Sequence, residues 1–226
     1  MAKYYNIDDL RLLAKKRVPQ AVFDYADGAA EDESTKENNR SAFQKWKFIP
    51  DVLIDVSEVD THTKVLETDM PYPFALGPTA ISYLFHHAGE PAVARAASKR
   101  NFPSTLSSIA STNIEDYAES SNGSVWFQMY VWKNREISHD FIKRCKASNY
   151  KAIMLTVDVP VGGKRERDLR SGMTVPPQLT LASIIDAAFH PHWWWNFIFG
   201  PKISFANVKE RFTGKKQKLS NIMTYM

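Results

Sequence analysis

Ala152-Ile153-Met154-Leu155 runs into Thr156-Val157-Asp158, a short apolar stretch that ends in polar residues, and it is the last of four such stretches. The others are Phe74-Ala75-Leu76-Gly77 into Pro78-Thr79-Ala80, Pro103-Ser104-Thr105-Leu106 into Ser107-Ser108, and Val125-Trp126-Phe127-Gln128-Met129-Tyr130. Strands starting at 74, 103, 125 and 152, with helical patterns between them, have the spacing of βαβ units. Right-handed crossovers then place all four parallel and adjacent. Polar groups gathered at the carboxyl ends of parallel strands are how a (β/α) barrel builds an active site.

The intervening patterns predict a helix from about Gly89 to Arg100, with Ala92, Val93, Ala96 and Ala97 inward. A short helix near Ile114 to Glu119 is capped by Asn113, and a longer one runs from about Glu136 to Ser148. Upstream, Asn6 caps an amphipathic helix carrying Ile7, Leu10, Leu13 and Ala14. Pro19 suits the first turn of a second helix, Gln20 to about Ala26. Asp27 to Arg40 reads as loop and surface helix, and Ile54-Asp55-Val56 with Lys64-Val65-Leu66 as a hairpin closing one barrel end. Beyond Asp158 the alternation stops. Gly162-Gly163 and Pro176-Pro177 mark a long loop with Lys164, Arg165, Arg167 and Arg170, and Leu179 to Gly200 holds Trp193-Trp194-Trp195 beside Phe197, Ile198 and Phe199.

The 226 residues are long enough for one domain, and 24% charged with 44% hydrophobic residues is ordinary for a soluble globular chain. The excess of 29 basic over 25 acidic residues is partly a basic tail, Lys202, Lys209, Arg211, Lys215, Lys216 and Lys218, read as a solvated surface or a lipid-facing one. No base-reading motif is present, so nucleic acid is set aside. The single cysteine, Cys145, excludes an intramolecular disulfide framework and fits a reducing compartment. It falls in the helical series Ile137, Phe141, Ile142, Cys145, where a small apolar residue is expected. No signal peptide or apolar run of about 18 residues appears. The expected location is cytoplasmic, with peripheral attachment to the inner face of the cell membrane weighed beside it. The six histidines form no metal-binding array, so no metal is expected.

Six short motifs in order carry a family resemblance: Phe23-Asp24-Tyr25 with Asp27-Gly28-Ala29; Gly77-Pro78-Thr79-Ala80; Leu106-Ser107-Ser108; Phe127-Gln128-Met129-Tyr130-Val131; Leu155-Thr156-Val157-Asp158-Val159-Pro160; and Lys164-Arg165-Glu166 with Asp168. Together they resemble the FMN-dependent α-hydroxy acid dehydrogenases and oxidases, a family that includes glycolate oxidase, L-lactate dehydrogenase and mandelate dehydrogenase. The resemblance implies an α/β fold, a TIM (β/α)8 barrel of the FMN-linked type. About the first four βα units are visible here: residues 1–70 as N-terminal helices and hairpin, 71–160 as the first half of the barrel, and 161–226 as the long loop, Trp-rich segment and basic tail.

The resemblance also implies site roles. Pro78, Thr79 and Ala80 would approach the flavin, with the Ala80 amide near N5; read alone, they form a rigid strand-end turn. The flavin pyrimidine edge asks for mixed hydroxyl and amide partners, which Ser107, Gln128 and Thr156 offer, although Ser and Thr also simply close strands. A glutamine inside an aromatic strand is harder to dismiss, because a buried amide needs partners. Tyr25 and Arg165 would hold a substrate carboxylate, and Tyr130 would hydrogen-bond the substrate and steady developing charge. Core packing for Tyr130 and a solvated loop charge for Arg165 are the plainer alternatives. Asp158 orders neighbouring loops. The family's catalytic histidine, second arginine, flavin-N1 lysine and phosphate-binding glycine loops have no counterpart in these residues, so a truncated form of a longer enzyme is expected.

The implied activity is oxidation of a lactate- or mandelate-like L-2-hydroxy acid to the 2-oxo acid, with electrons passed to quinone or another acceptor, and the truncated form is expected to be inactive. An oxygen-using oxidase and a non-enzymatic fragment that needs a partner chain are the alternatives. Ile109, where glycolate-oxidase-like members carry tryptophan, weakens a glycolate assignment. Residues 179–200 suit either a bilayer interface or an amphipathic helix packed on protein. The full-length form is expected to be a homo-oligomer.

Overall fold

Four residues of Ser104–Ser107 (β3) pair in parallel with Val125–Met129 (β4), which pairs in parallel with Ala152–Leu155 (β5), in the order expected from the βαβ spacing. The computed structural model describes residues 4–158, 161–174, 178 and 180–209. Three strands are formed, not four: Phe74–Gly77 contributes one bridge, Leu76 with Ser104, held by the Leu76 N–H to the Pro103 carbonyl and the Thr105 N–H to the Leu76 carbonyl. Pro73 and Pro78 flank that bridge, and neither has an N–H to extend the ladder.

Crossover helices cover the outer face of the sheet. α4 (Gly89–Ser98), α5 (Ile114–Glu119) and α6 (Arg135–Ala147) follow the expected positions, and Asn113 accepts the Asp116 N–H as α5's cap. The inward residues of α4 are Glu90, Ala94 and Ala97, whereas Val93 and Ala96 are exposed, a correction to the sequence reading. A run of alanines carries little phase information, so the buried glutamate was the decisive residue.

From α6, Ile137, Phe141 and Cys145 repeat every four residues and pack on β4, while Ile142 stays exposed. Phe127 meets Phe141 and Tyr150 edge to face, at 5.4 and 6.1 Å between ring centroids. Burial pushes the Cys145 thiol up to about 12. Phe205 and Val208, at and just before α10 (Ala206–Lys209), complete this core. Asn207 fixes them by accepting the Ile114 N–H at 2.9 Å and donating to the Thr112 carbonyl at 3.2 Å.

The N-terminal part is α1 (Ile7–Arg17), α2 (Gln20–Asp27) and α3 (Ser34–Ser41). Asn6 caps α1 by accepting the Asp9 N–H, as expected; Pro19 is the N-cap of α2 and not inside its first turn. The hairpin is shifted along the chain. Thr63–Val65 (β1) pairs with Thr68–Met70 (β2), and Ile54 and Val56 are exposed outside it. Leu66 and Glu67 both have positive φ, 47° and 61°, which gives the turn the right twist without the usual glycine or asparagine.

Residues 164–171 are not all loop: Glu166–Ser171 form α7, which packs beside α2 and ends at Gly172, φ 76°. The Trp-rich segment is two helices, α8 (Leu181–Ala188) and α9 (Pro191–Phe199). Pro176-Pro177, Leu179, Val159-Pro160 and the basic residues Arg211, Lys215, Lys216 and Lys218 lie outside the described residues.

Trp126 and Phe127 lie on β4, the central strand of the sheet. Both are buried, with the Trp126 indole reaching Thr68 of the hairpin at 3.5 Å. The open surface is β5, where Ile153, Met154 and Leu155 are 39%, 42% and 54% exposed.

Candidate functional site at the strand ends

The ladder register sets which residues meet. Ser107 lies opposite Gln128, and Gln128 lies opposite Met154, two residues before Thr156. Alternate residues of a strand face opposite ways, so Gln128 shares a face with Trp126 and turns away from the helices that receive Phe127. Its carboxamide joins three strand ends. Ser107 Oγ donates to Gln128 Oε1 at 3.0 Å, the Ser108 N–H donates to the same oxygen at 3.3 Å, and Gln128 Nε2 donates to Thr156 Oγ1 at 2.5 Å. Ser107 Oγ also accepts the Ile109 N–H at 3.3 Å, and Ser108 Oγ accepts the Tyr130 N–H at 3.4 Å. The amide oxygen is saturated by these bonds. The second Gln128 N–H and the Thr156 hydroxyl hydrogen stay available to a planar ligand with carbonyl acceptors.

The Pro78-Thr79-Ala80 turn follows the segment that bridges to β3 at Leu76, and no hydrogen bond joins it to Ser107, Gln128 or Thr156 among the described residues. Thr79 is three residues past Leu76, as Ser107 is three past Ser104, the residue that bridges to Leu76. Thr79 Oγ1 lies 3.2 Å from Ser82 Oγ. Glu90, 4% exposed, holds the far side of the turn: Oε1 accepts the Ser82 and Ser111 N–H groups, both at 2.9 Å, and Oε2 accepts the Thr112 hydroxyl at 2.9 Å. Sequence reading missed this glutamate. Its signal was a lone acid on the inner face of an alanine-rich helix.

Tyr25 and Arg165 form a second group. Arg165 Nη2 donates to the Tyr25 carbonyl at 2.6 Å, and its guanidinium carbon lies 5.5 Å from the centre of the Tyr25 ring. Tyr25 stacks on Phe85, 6.2 Å between centroids. Asp168 Oδ2 accepts from Arg165 Nε at 2.5 Å, while its buried Oδ1 has no hydrogen-bond partner among the described residues. Arg165 is therefore an oriented cation and not a freely solvated one. Burial pushes the Tyr25 phenol up, partly offset by Arg165; burial and the nearby Asp158 do the same for Tyr130. Both phenols stay protonated donors at neutral pH. No hydrogen bond links the Tyr130 hydroxyl to the Tyr25–Arg165 group among the described residues.

A family model described as FMN-dependent dehydrogenase matches residues 14–225. The chain belongs to the FMN-dependent dehydrogenase family. Among curated relatives, it is 42% identical over 210 residues to a putative L-lactate dehydrogenase of Mycobacterium tuberculosis (strain ATCC 25618 / H37Rv), covering 92% of this chain and 50% of that protein. It is 35% identical over 220 residues to (S)-mandelate dehydrogenase of Pseudomonas putida, covering 97% of this chain and 56% of that one. A solved structure of the monotopic membrane protein (S)-mandelate dehydrogenase superposes with a TM-score of 0.92 at 34% identity, covering 99% of this chain and 60% of that chain. The chain thus spans about half the length of the curated relatives it matches. Its family is one of flavoenzymes, oxidoreductases that use FMN. The part present here is an α/β fold with an open sheet and no closed barrel among the described residues.

The chemistry of the strand-end group fits that cofactor. The pyrimidine edge of an isoalloxazine alternates carbonyl acceptors with an N–H, and an amide flanked by two hydroxyls can present both donors and acceptors to it.

Proposed function

We propose that this chain supplies the flavin-edge and substrate-carboxylate portion of an FMN-dependent L-2-hydroxy acid dehydrogenase that acts on a lactate- or mandelate-like substrate. The observation that carries the reading is the Ser107–Gln128–Thr156 hydrogen-bonded group across three adjacent strand ends. Ser107, Gln128 and Thr156 would hold the pyrimidine edge, and Pro78, Thr79 and Ala80 would border the ring. FMN, when bound, supplies the two-electron acceptor. Tyr25 and Arg165 bind the substrate carboxylate, with Arg165 held by Asp168 and the Tyr25 carbonyl so that its remaining N–H groups are free to point at an anion. Tyr130 donates a hydrogen bond to the substrate oxygen.

Residues 179–200 support a further element of the reading, peripheral attachment to the inner face of the cell membrane with quinone as acceptor. Leu181, Ile184, Phe189, Trp195, Ile198 and Phe199 are exposed on α8 and α9. Assembly of the full-length form as a homo-oligomer belongs to the same proposal. Addition of L-lactate or (S)-mandelate to the FMN-loaded full-length form under anaerobic conditions tests the activity. Bleaching of the flavin bands supports it, and reoxidation by a quinone analogue faster than by oxygen supports the dehydrogenase form. Flavin that stays oxidised with every 2-hydroxy acid supports a non-enzymatic role instead.

A further inference from the structure

Away from the strand ends, the C-terminal turn of α1 and the start of α9 enclose a cleft of about 770 Å³. Its floor is apolar and aromatic, formed by Val18, Phe23, Phe85 and Trp193. Its rim carries Arg11, Lys16 and Arg17 against one carboxylate, Asp27, which is already engaged by Arg11, Lys36 and Arg167. α9 begins at this cleft with Pro191 at its first position, and the partial positive charge of a helix N-terminus adds to the rim. The imidazole of His86 on the same wall is held below its ordinary pKa by burial and by the charges of His87 and Arg17.

Cations in the last turn of α1 offset that helix's own dipole, which explains their presence but not the aromatic slot beneath them. The Trp193 indole donates to the Leu84 carbonyl at 2.7 Å and its ring stacks on Phe197, so the slot wall is fixed. One end of the cleft, at Phe189, opens on the exposed apolar residues of α8 and α9. Fixed positive charge above an apolar slot selects an anion joined to an apolar body.

We propose that this cleft binds the headgroup and first acyl carbons of an acidic phospholipid. The proposal rests on the membrane-surface reading of residues 179–200 and names the lipid chemistry that reading lacks. Calorimetric titration of the full 226-residue chain with dihexanoylphosphatidylglycerol, below its micelle threshold, is the test. Binding about tenfold tighter than for dihexanoylphosphatidylcholine is expected from Lys16 and Arg17, which form no ion pair among the described residues. The double substitution Lys16→Glu, Arg17→Glu removes the preference while circular dichroism stays unchanged.

Equal binding of the two lipids overturns the proposal, as does a preference that survives the double substitution. Inorganic phosphate binding as tightly as the short lipid also overturns it, since the slot then takes no part. If the double variant fails to fold, Phe85→Asp in the slot floor must weaken the short lipid and leave phosphate unaffected. Flotation with neutral vesicles, with and without residues 179–200, reports on membrane attachment separately, so either reading can fail alone.

Discussion

Asp27 gathers cations from three helices. Arg11 of α1 hydrogen-bonds it, Lys36 of α3 lies 3.5 Å away, and Arg167 of α7 donates at 3.0 Å. The Arg11 hydrogen bond, with Arg167 and Lys36 behind it, holds the Asp27 carboxyl well below the usual carboxylate range despite an opposing effect of burial. A carboxyl whose folded pKa is depressed stabilises the fold fully above its unfolded value of about 3.9, and that contribution is lost as pH falls. Thermal unfolding followed from pH 7 downward should therefore show the midpoint dropping more steeply below about pH 5 for the wild type than for Asp27→Asn. Parallel curves would remove Asp27 from the account of acid stability. Arg165 and Arg167 separate two duties at neighbouring positions, one facing Tyr25 and the proposed substrate, the other tying α7 to α2 and α3.

Among elements, the union of α6 with β4 carries the greatest packing weight. Phe141 is fully buried against Phe127, and truncating such a ring leaves a cavity that costs about 3–5 kcal/mol. Phe141→Ala should lower the unfolding free energy by that amount, read as a lower denaturant midpoint with little change in slope; a loss under about 1 kcal/mol would mean the helix is not packed as described. These elements were legible in the sequence because a short apolar run at 125–129 gave way cleanly to a helical repeat at 137–145. The hairpin was not, since its turn residues Leu66 and Glu67 give no signal for positive φ. Ser107, Gln128 and Thr156 were readable because each closes or interrupts an apolar strand. The Arg167 clasp was not: Arg167 and Asp27 are 140 residues apart, and neither stands out from other surface charges. Glu90 was missed because the alanines around it carry little information about which face of α4 is inward.

At the scale of the whole molecule, apolar surface is unevenly covered. Residues 46–62 run without helix or strand, and Phe48 and Leu53 along them are as exposed as in an extended chain, at 101% and 102%. Among the described residues β5 is an edge strand with an exposed apolar side, whereas parallel strands are normally buried on both faces. This chain in isolation should sediment as a species heavier than a monomer and bind an apolar dye. Ile153→Lys with Leu155→Lys should shift it toward monomer by charging the edge. A dye-silent wild-type monomer would contradict that reading.

The proposed flavin site returns to one carboxamide. Titration of the 226-residue chain with FMN, followed by quenching of flavin fluorescence, tests it directly. Gln128 joins Ser107 to Thr156, and the proposal gives its remaining N–H to the flavin ring. Gln128→Leu should therefore weaken binding about tenfold or more, through lost hydrogen bonds and stranded hydroxyls, at unchanged circular dichroism. Equal FMN affinity in Gln128→Leu and wild type would show that the strand-end group is not the flavin site.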